Sequence, residues 1–428
     1  MLKIFQETLE AFKVRVTTIK VTPWLAWLAF LGFLLLGGLI SGILIFWKGL
    51  VITNLTDLVP WGLWITIDLS SIALSAGAFS LCAAVYLLGL KRYQPIARTA
   101  TFIGLIGYSM AMLSLLLDIG RPDRFWHAVV YWNTHSLLWE VTMCVVLYLT
   151  VLVFESMPIF AGFEWFRKRY PKISARMEQL HNYAPFLAIL GLGLSSLHQS
   201  SLGAVYGVIK ARPFWFKPEM AVLFLLTAIL GGIALTLFAS MLSARLTNKA
   251  RINDALIERV AVFLGWLLVA YFYFRFWDTL AMTYTYDPGR SEGLEVLTSG
   301  ALSFNFWVIE MLFGIVVPMV LLLNQRTRSR RFWRMLAFAL IVIGVITYRW
   351  DTNLSGLLVV MSYLPGEQLV AYTSYRPAFV EWSAGFGIVA FGLLAFSLGV
   401  MYLRVVDHRL TEPEHETVKV KVRETVTA

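Results

Sequence analysis

Cysteine is nearly absent. The 428 residues hold two, Cys82 and Cys144, on different apolar runs and with no C-x-x-C pair. That excludes an iron–sulfur cluster held by this chain alone, and both thiols read as small buried hydrophobes. Charge is scarce too, at 14% of residues, and no long polar stretch leaves room for a large extramembrane domain. No Walker loop, G-x-S-x-G or H-E-x-x-H occurs, so those phosphate, hydrolase and zinc chemistries lack their signatures. Histidine is sparse. Only His198 lies well within an apolar run, whereas His127, His135 and His181 sit near run ends and His408 and His415 follow the last one. A b-haem held by two imidazoles across a bundle is therefore not expected. The N-terminus, residues 1–22, lacks the apolar core and cleavage site of a signal peptide. It reads as a short amphipathic segment on the membrane surface.

What the chain has is apolar length. Hydrophobic residues make up 58%, with 16 Trp, and mean hydropathy is +0.70. Ten runs approach the ~20 residues that span a bilayer. They fall at about 23–47, 60–89, 97–118, 135–157, 182–209, 218–243, 256–280, 301–323, 332–349 and 378–403. The expected fold is an all-α integral membrane protein. Its transmembrane domain covers 23–405 and a cytoplasmic tail 406–428. Basic residues set the orientation. Of 36 Lys and Arg, 26 flank the side that carries both termini, nine flank the other, and Arg275 lies near a run's end. That asymmetry predicts cytoplasmic termini. It also accounts for the net charge of +10 without nucleic acid, since the basic residues are spread over six membrane-flanking segments.

Ionisable residues inside spans are costly and are functional candidates by default. Asp68 lies ~12 Å below the outer surface of span 2 at 1.5 Å per residue. Asp118 stands at the outer mouth of span 3, Glu140 is a turn and a half into span 4, and His198 is eleven residues from the outer end of span 5. If spans 2–5 form a four-helix bundle, these groups can converge in its outer half. The inner halves hold neutral polar groups such as Ser75, Ser80 and Ser156, so no proton path from the cytoplasm is expected through this bundle. In spans 6–9, Arg275, Asp278 and Glu310, with Arg349 and Asp351 ending span 9, suit structural pairing at least as well as proton exchange. Glu381 opens span 10, and the long segment before it is expected to fold over the outer surface. Gly231–Gly232 reads as a helix-packing site.

Carboxylates and an imidazole in the membrane, with no redox centre, suit a proton-coupled molecule soluble in lipid. A quinone fits, because its carbonyl oxygens take protons as electrons arrive and its ring needs an aromatic wall. A docked partner must then carry the electrons.

The run "LLLDIGRPDRFWHAV" (115–129) resembles the Leu-Asp-x-Gly-Arg-Pro signature of the NrfD/PsrC family of quinone-reacting membrane subunits. "VPWGLWITIDLSS", "SSLHQSSLGAVYGV", "RFWDTL", "FWVIEMLFGIVVPMVLL" and "YRWDTNLSG" resemble its longer, ten-helix branch, which includes HybB of Ni–Fe hydrogenases. The resemblance implies two four-helix bundles (about 60–209 and 218–349) flanked by one helix on each side, with no haem. It implies a ferredoxin-like iron–sulfur subunit docked outside the cytoplasm, a further catalytic or multihaem cytochrome subunit, and menaquinone or ubiquinone as bound substrate in the first bundle. In that setting Asp68, Glu140 and His198 are the expected quinone partners. Asp118 or His127 would exchange protons with the outside. Arg121 and Arg124, with Asp118 and Asp123, would shape the mouth and docking surface, and Trp126 would help wall the pocket. A structural anchor without quinone chemistry and a secondary transporter are the other readings of this chain.

Overall fold

The computed structural model of the chain describes residues 22–362, 366 and 369–408, so the expected N-terminal segment and most of the expected tail lie outside the described residues. Among the described residues, ten helices are long and apolar enough to cross a bilayer. They are α1 (Pro23–Lys48), α2 (Leu63–Tyr86), α3 (Gln94–Asp118), α4 (Leu137–Ala161) and α5 (Ala184–Gly207). Then come α6 (Glu219–Leu246), α7 (Asp254–Thr285), α8 (Asn305–Leu323), α9 (Arg331–Leu357) and α10 (Phe379–Tyr402). This is an all-α integral membrane fold with one small described hairpin, β1 (Val359–Met361) against β2 (Val370–Tyr372). Ten crossings put the start of α1 and the end of α10 on one face, here the terminal face. The opposite one is the distal face.

Helix starts follow local chemistry. Thr22 Oγ1 accepts Leu25 N–H at 3.2 Å and Pro23 fills the first turn of α1. Ser136 caps α4 and Asn253 caps α7 in the same way, each satisfying a donor the helix cannot. Outward-facing side chains are large and apolar: Phe33 is 73% exposed, Phe186 64% and Trp266 64%. Hydrocarbon, not water, is the solvent such a surface requires.

Helices α2–α5 pack on one another, as do α6–α9, and the two sets meet where α6 lies along α5 and α2. The first and last spans pair with each other and lie together along α3 rather than one on each side. Small residues permit the closest crossings. Gly38 of α1 meets Gly387 of α10, and Gly314 of α8 meets Gly344 of α9. Gly77 and Gly232 join the two sets at the break in α2, where a Cβ on either would fall within the other helix's backbone. Gly231–Gly232 thus has the packing role its sequence suggested. Gly232→Val forces the sets apart and is expected to destabilise by ~1–3 kcal/mol. A lowered melting midpoint in detergent checks this, with Val222→Ile at an exposed position of the same helix as control.

Two ends differ from expectation. Helix α9 does not stop at Arg349 but runs to Leu357. Its last turns are polar yet buried, because neighbours satisfy them. Asn353 accepts from Tyr206 at 3.0 Å and donates to Trp61 O at 2.8 Å, and Thr352 O accepts from Trp215 at 2.7 Å. About the first quarter of the expected outer segment, residues 351–357, is therefore helix. Helix α4 likewise continues to Ala161.

At the terminal face, buried His408 accepts Asn253 N–H through Nδ1 at 3.3 Å. Burial pushes its pKa down to about 4, below the ~6.5 of a free imidazole. Since the neutral ring fits, its contribution to stability is complete above the unfolded pKa and is lost as pH falls from there toward the folded one. Melting midpoints at about pH 7 and about pH 5 should differ more for wild type than for His408→Gln, whose amide oxygen accepts without titrating.

Candidate functional site

The distal half of the first bundle gathers unsatisfied polar atoms in an apolar interior. Asp68 on α2 is 3% exposed, and its Oδ1 has no hydrogen-bond partner. His198 on α5 is fully buried. Its Nδ1 lies 2.8 Å from the Tyr108 hydroxyl of α3, while Nε2 has no partner. Gln199 anchors this turn of α5 by donating Nε2–H to Ile72 O of α2 at 2.9 Å. Asp118, at the end of α3, is half-buried with Oδ1 also unpartnered. Asp68 and Asp118 lie within electrostatic reach of each other, and Tyr108 and Tyr206 lie within reach of Asp68. Each orphaned buried atom costs free energy that native interiors rarely leave uncompensated.

Glu140 is half-buried in the first turn of α4, with Oε1 2.7 Å from Ser201 Oγ. Ser201 follows His198 by three residues, so Glu140 meets α5 one turn nearer the distal face. Asp68 thus lies within electrostatic reach of Tyr108, which bonds His198, and both Asp68 and Asp118 lie within reach of Tyr206, while Glu140 bonds Ser201 one turn from His198. Sequence reading missed Tyr108 and Ser201, since neither residue type is unusual in a membrane helix.

The distal loop differs in character. Arg121 donates from Nε and Nη2 to the two Asp123 oxygens, both at 3.0 Å, and Arg124 approaches Asp123 at 3.9 Å. All three are exposed. The Arg121 guanidinium holds the Asp123 carboxyl below its usual range, but solvent screens such a pair and it contributes little to stability. Trp126 is 44% exposed and packs edge-on against half-buried His127 at 4.3 Å, and Tyr131 lies 5.2 Å from the imidazole and 6.3 Å from the Trp126 ring. Asp118 takes no part in this surface cluster.

In the second set the charges are paired. Arg275 Nε donates to Glu310 Oε1 at 2.9 Å and Nη1 to Asp278 Oδ2 at 2.8 Å. Tyr271 donates to Glu310 at 2.9 Å, and Lys217 lies 2.6 Å from Asp278. Two cations meet two carboxylates, all buried, and π-helical turns over Asn305–Val316 carry Glu310 into place. Lys217, counted from sequence as an outer-loop lysine, completes the network unannounced. Arg349 does not pair with Asp351. Its guanidinium lies 3.7 Å over the Phe224 ring and donates to Phe224 O and Thr227, whereas Asp351 accepts from Asn305. Glu381, opening α10 as expected, is buried and accepts from Tyr375 (2.5 Å), Asn54 N–H and Ala378 N–H.

One expectation needs correction. The inner half of the first bundle does contain an ionisable group, Glu155, beside Ser156. Because α4 runs to Ala161, Glu155 lies six residues inside the helix, ~9 Å, and lines a cavity of about 460 Å3.

The chain matches the protein-family profile described as polysulphide reductase, NrfD, over residues 51–361. It is 30% identical over 394 residues to the integral membrane subunit of menaquinone reductase from Nitratidesulfovibrio vulgaris, covering 90% of this chain and 93% of that protein. It is 26% identical over 373 residues to the integral membrane subunit of an Hdr-like menaquinol oxidoreductase from Archaeoglobus fulgidus, covering 84% and 89%. Identity is 27%, over 366 residues, to the probable Ni/Fe-hydrogenase 2 b-type cytochrome subunit of Escherichia coli, covering 83% and 85%. The haem in that last protein's name finds no bis-histidine seat among the described residues here. His127 and His135 lie at the distal face, His181 and His408 at the terminal face, and His198 stands without a facing imidazole. Nor do the described residues contain a group of three or more His, Cys, Asp or Glu able to hold a metal ion.

Proposed function

Because the chain belongs to the NrfD family of membrane subunits, we propose that it binds quinone or quinol in the distal half of its first bundle and exchanges electrons with a docked ferredoxin-like iron–sulfur subunit. The respiratory complex is completed by a catalytic or multihaem cytochrome subunit. The basic-residue asymmetry makes the terminal face cytoplasmic, in a bacterial or archaeal inner membrane, and the distal face extracytoplasmic. The ten crossings favour the longer, HybB-containing branch.

The observation that carries this reading is the pair of orphaned buried atoms, His198 Nε2 and Asp68 Oδ1. Reduction of a quinone takes two electrons from the partner and two protons, and oxidation returns them. With the Tyr108 O–H donating to Nδ1, His198 holds its proton on Nε2, aimed at a quinone carbonyl. Asp68 supplies or accepts the second proton. Asp118 and Glu140 relay protons toward the distal face, past His127. Arg121 and Trp126 form the rim against the partner subunit. Arg275, Asp278 and Glu310 serve packing.

Quinone-linked electron transfer by the purified complex tests this, wild type against His198→Ala and Glu140→Gln. Activity lost in a complex that still co-purifies with its partners supports the reading. Activity kept by both variants moves the chemistry elsewhere and makes the chain a structural anchor.

A further inference from the structure

The cavity of about 460 Å3 lies at the terminal face, between the ends of α2, α3 and α4 and the chain around the start of α5. That volume falls in the ~300–1,000 Å3 range of small-ligand sites. Among the described residues lining it, Glu155 of α4 and Glu178 set two carboxylates against the single guanidinium of Arg98. Exposed His181 stands with Glu178 at the mouth. Arg98 is partly engaged. Its Nη2 donates to Leu403 O at 3.5 Å, Asp407 lies within electrostatic reach, and Nε has no partner. Neither glutamate side chain has a hydrogen bond or ion pair among the described residues.

The fold holds these groups in place. Ser174 donates Oγ–H to Ala161 O at 3.1 Å, which fixes the helix Pro171–Gln179, and with it Glu178, against the end of α4. Gly191 of α5 stands opposite Glu155. A Cβ there would lie 3.8 Å from Oε1, so its absence leaves the carboxylate uncovered on that side. Tyr86 of α2 lies within electrostatic reach of Glu155 and adds an aromatic ring to the wall. The rest of the lining is mostly small or apolar, and Phe154 borders both the cavity and the lipid-facing side of α4, where it is 42% exposed. A carboxylate in such a setting calls for a cation, and a neighbouring ring favours one too. Glu155 lies ~9 Å inside the helix end, near the boundary of headgroups and hydrocarbon. The cation that fits there is the head of an amphiphile.

We propose that this cavity binds an aminophospholipid of the phosphatidylethanolamine type. Glu155 holds the primary ammonium, with Glu178 at the mouth and the Tyr86 ring beside it. The phosphodiester lies toward Arg98, and the acyl chains leave past Phe154 into the bilayer. A primary ammonium carries three N–H donors for carboxylate oxygens, and such charge-assisted bonds are the strong ones. The quaternary head of phosphatidylcholine has no N–H donor. Phosphatidylglycerol brings a negative charge to two carboxylates. Bound there, the lipid joins the terminal-face ends of the four helices whose distal halves carry Asp68, Asp118, Glu140 and His198. The proposal stands independently of the quinone reading.

Native mass spectrometry tests this on the purified full-length protein, with any subunits that co-purify. The protein is stripped of lipid and titrated with phosphatidylethanolamine, phosphatidylcholine or phosphatidylglycerol of identical acyl chains. Phosphatidylethanolamine is expected to bind about 10-fold more tightly than either of the others, the scale of one charge-assisted hydrogen bond. Glu155→Gln, which keeps the side chain's size, and Glu178→Gln, at an exposed position that folding tolerates, are each expected to erase most of that preference. Equal binding of the three lipids by wild type overturns the proposal, as does a preference retained by both variants. Tighter binding of phosphatidylglycerol overturns it by assigning lipid attraction to the basic terminal face. Displacement of the bound lipid by free ethanolamine at comparable concentration also overturns it, making the cavity a site for a soluble amine.

Discussion

Asp68→Asn is expected to lower quinone-linked electron transfer by about 100-fold or more, in a complex that assembles normally. Asparagine has the size of aspartate and can still hydrogen-bond, so packing around α2 is retained. What it loses is the ability to give and take a proton at the buried, unpartnered Oδ1. The loss should fall on kcat rather than KM, since a neutral amide still offers a donor to a quinone carbonyl. His198→Gln should behave similarly but also leave the Tyr108 hydroxyl without its 2.8 Å partner, at a further cost in stability of ~1–3 kcal/mol. Steady-state turnover against quinone concentration separates the two effects. Undiminished kcat in Asp68→Asn would remove this carboxyl from the chemistry.

Arg275→Ala is expected to have the largest effect on stability. The guanidinium serves two buried carboxylates, Asp278 and Glu310. Its removal leaves Lys217 alone to face both, and breaking a buried pair in this way costs ~3–5 kcal/mol. The variant should fail to accumulate or should melt far below wild type. The double variant Arg275→Met with Glu310→Leu removes one charge of each sign and leaves Lys217 paired with Asp278 at 2.6 Å. It should recover most of the loss, because apolar replacements of a buried pair are often neutral. A folded, assembled Arg275→Ala that no longer transfers electrons would instead place chemistry in the second set of helices.

The ten crossings were legible in the sequence because bilayer thickness imposes a minimum apolar length, and each run met it. Asp68, Glu140 and His198 fall in the distal halves of their helices, each nearer a helix end than the apolar runs implied, because the helices begin at Leu63 and Leu137 and end at Gly207. Residues at the ends of runs were not legible. Arg349 and Asp351 looked like the close of a span, yet Tyr206, Trp215 and Trp61 satisfy the polar turns that follow and the helix goes on. Glu155 is likewise set inside α4 by about one further turn of helix, from 157 to Ala161. Partners were less legible still. Nothing in "WFKPEM" announces that Lys217 neutralises Asp278. The resemblance, not the spacing, gave Arg121 and Asp123 a place at the pocket mouth, and the structure shows them as an exposed ion pair there. Hydrogen-bond partners come from helix rotation, which apolar runs specify only loosely.

The most direct test of the central claim is to locate the quinone. The intact complex would be photolabelled with an azidoquinone, and the modified peptides mapped by mass spectrometry with excess unlabelled quinone as competitor. The account predicts competed labels on α2, α3 and α5, around Asp68, Tyr108 and His198. Competed labels confined to α7–α9, or to a partner protein, would contradict it.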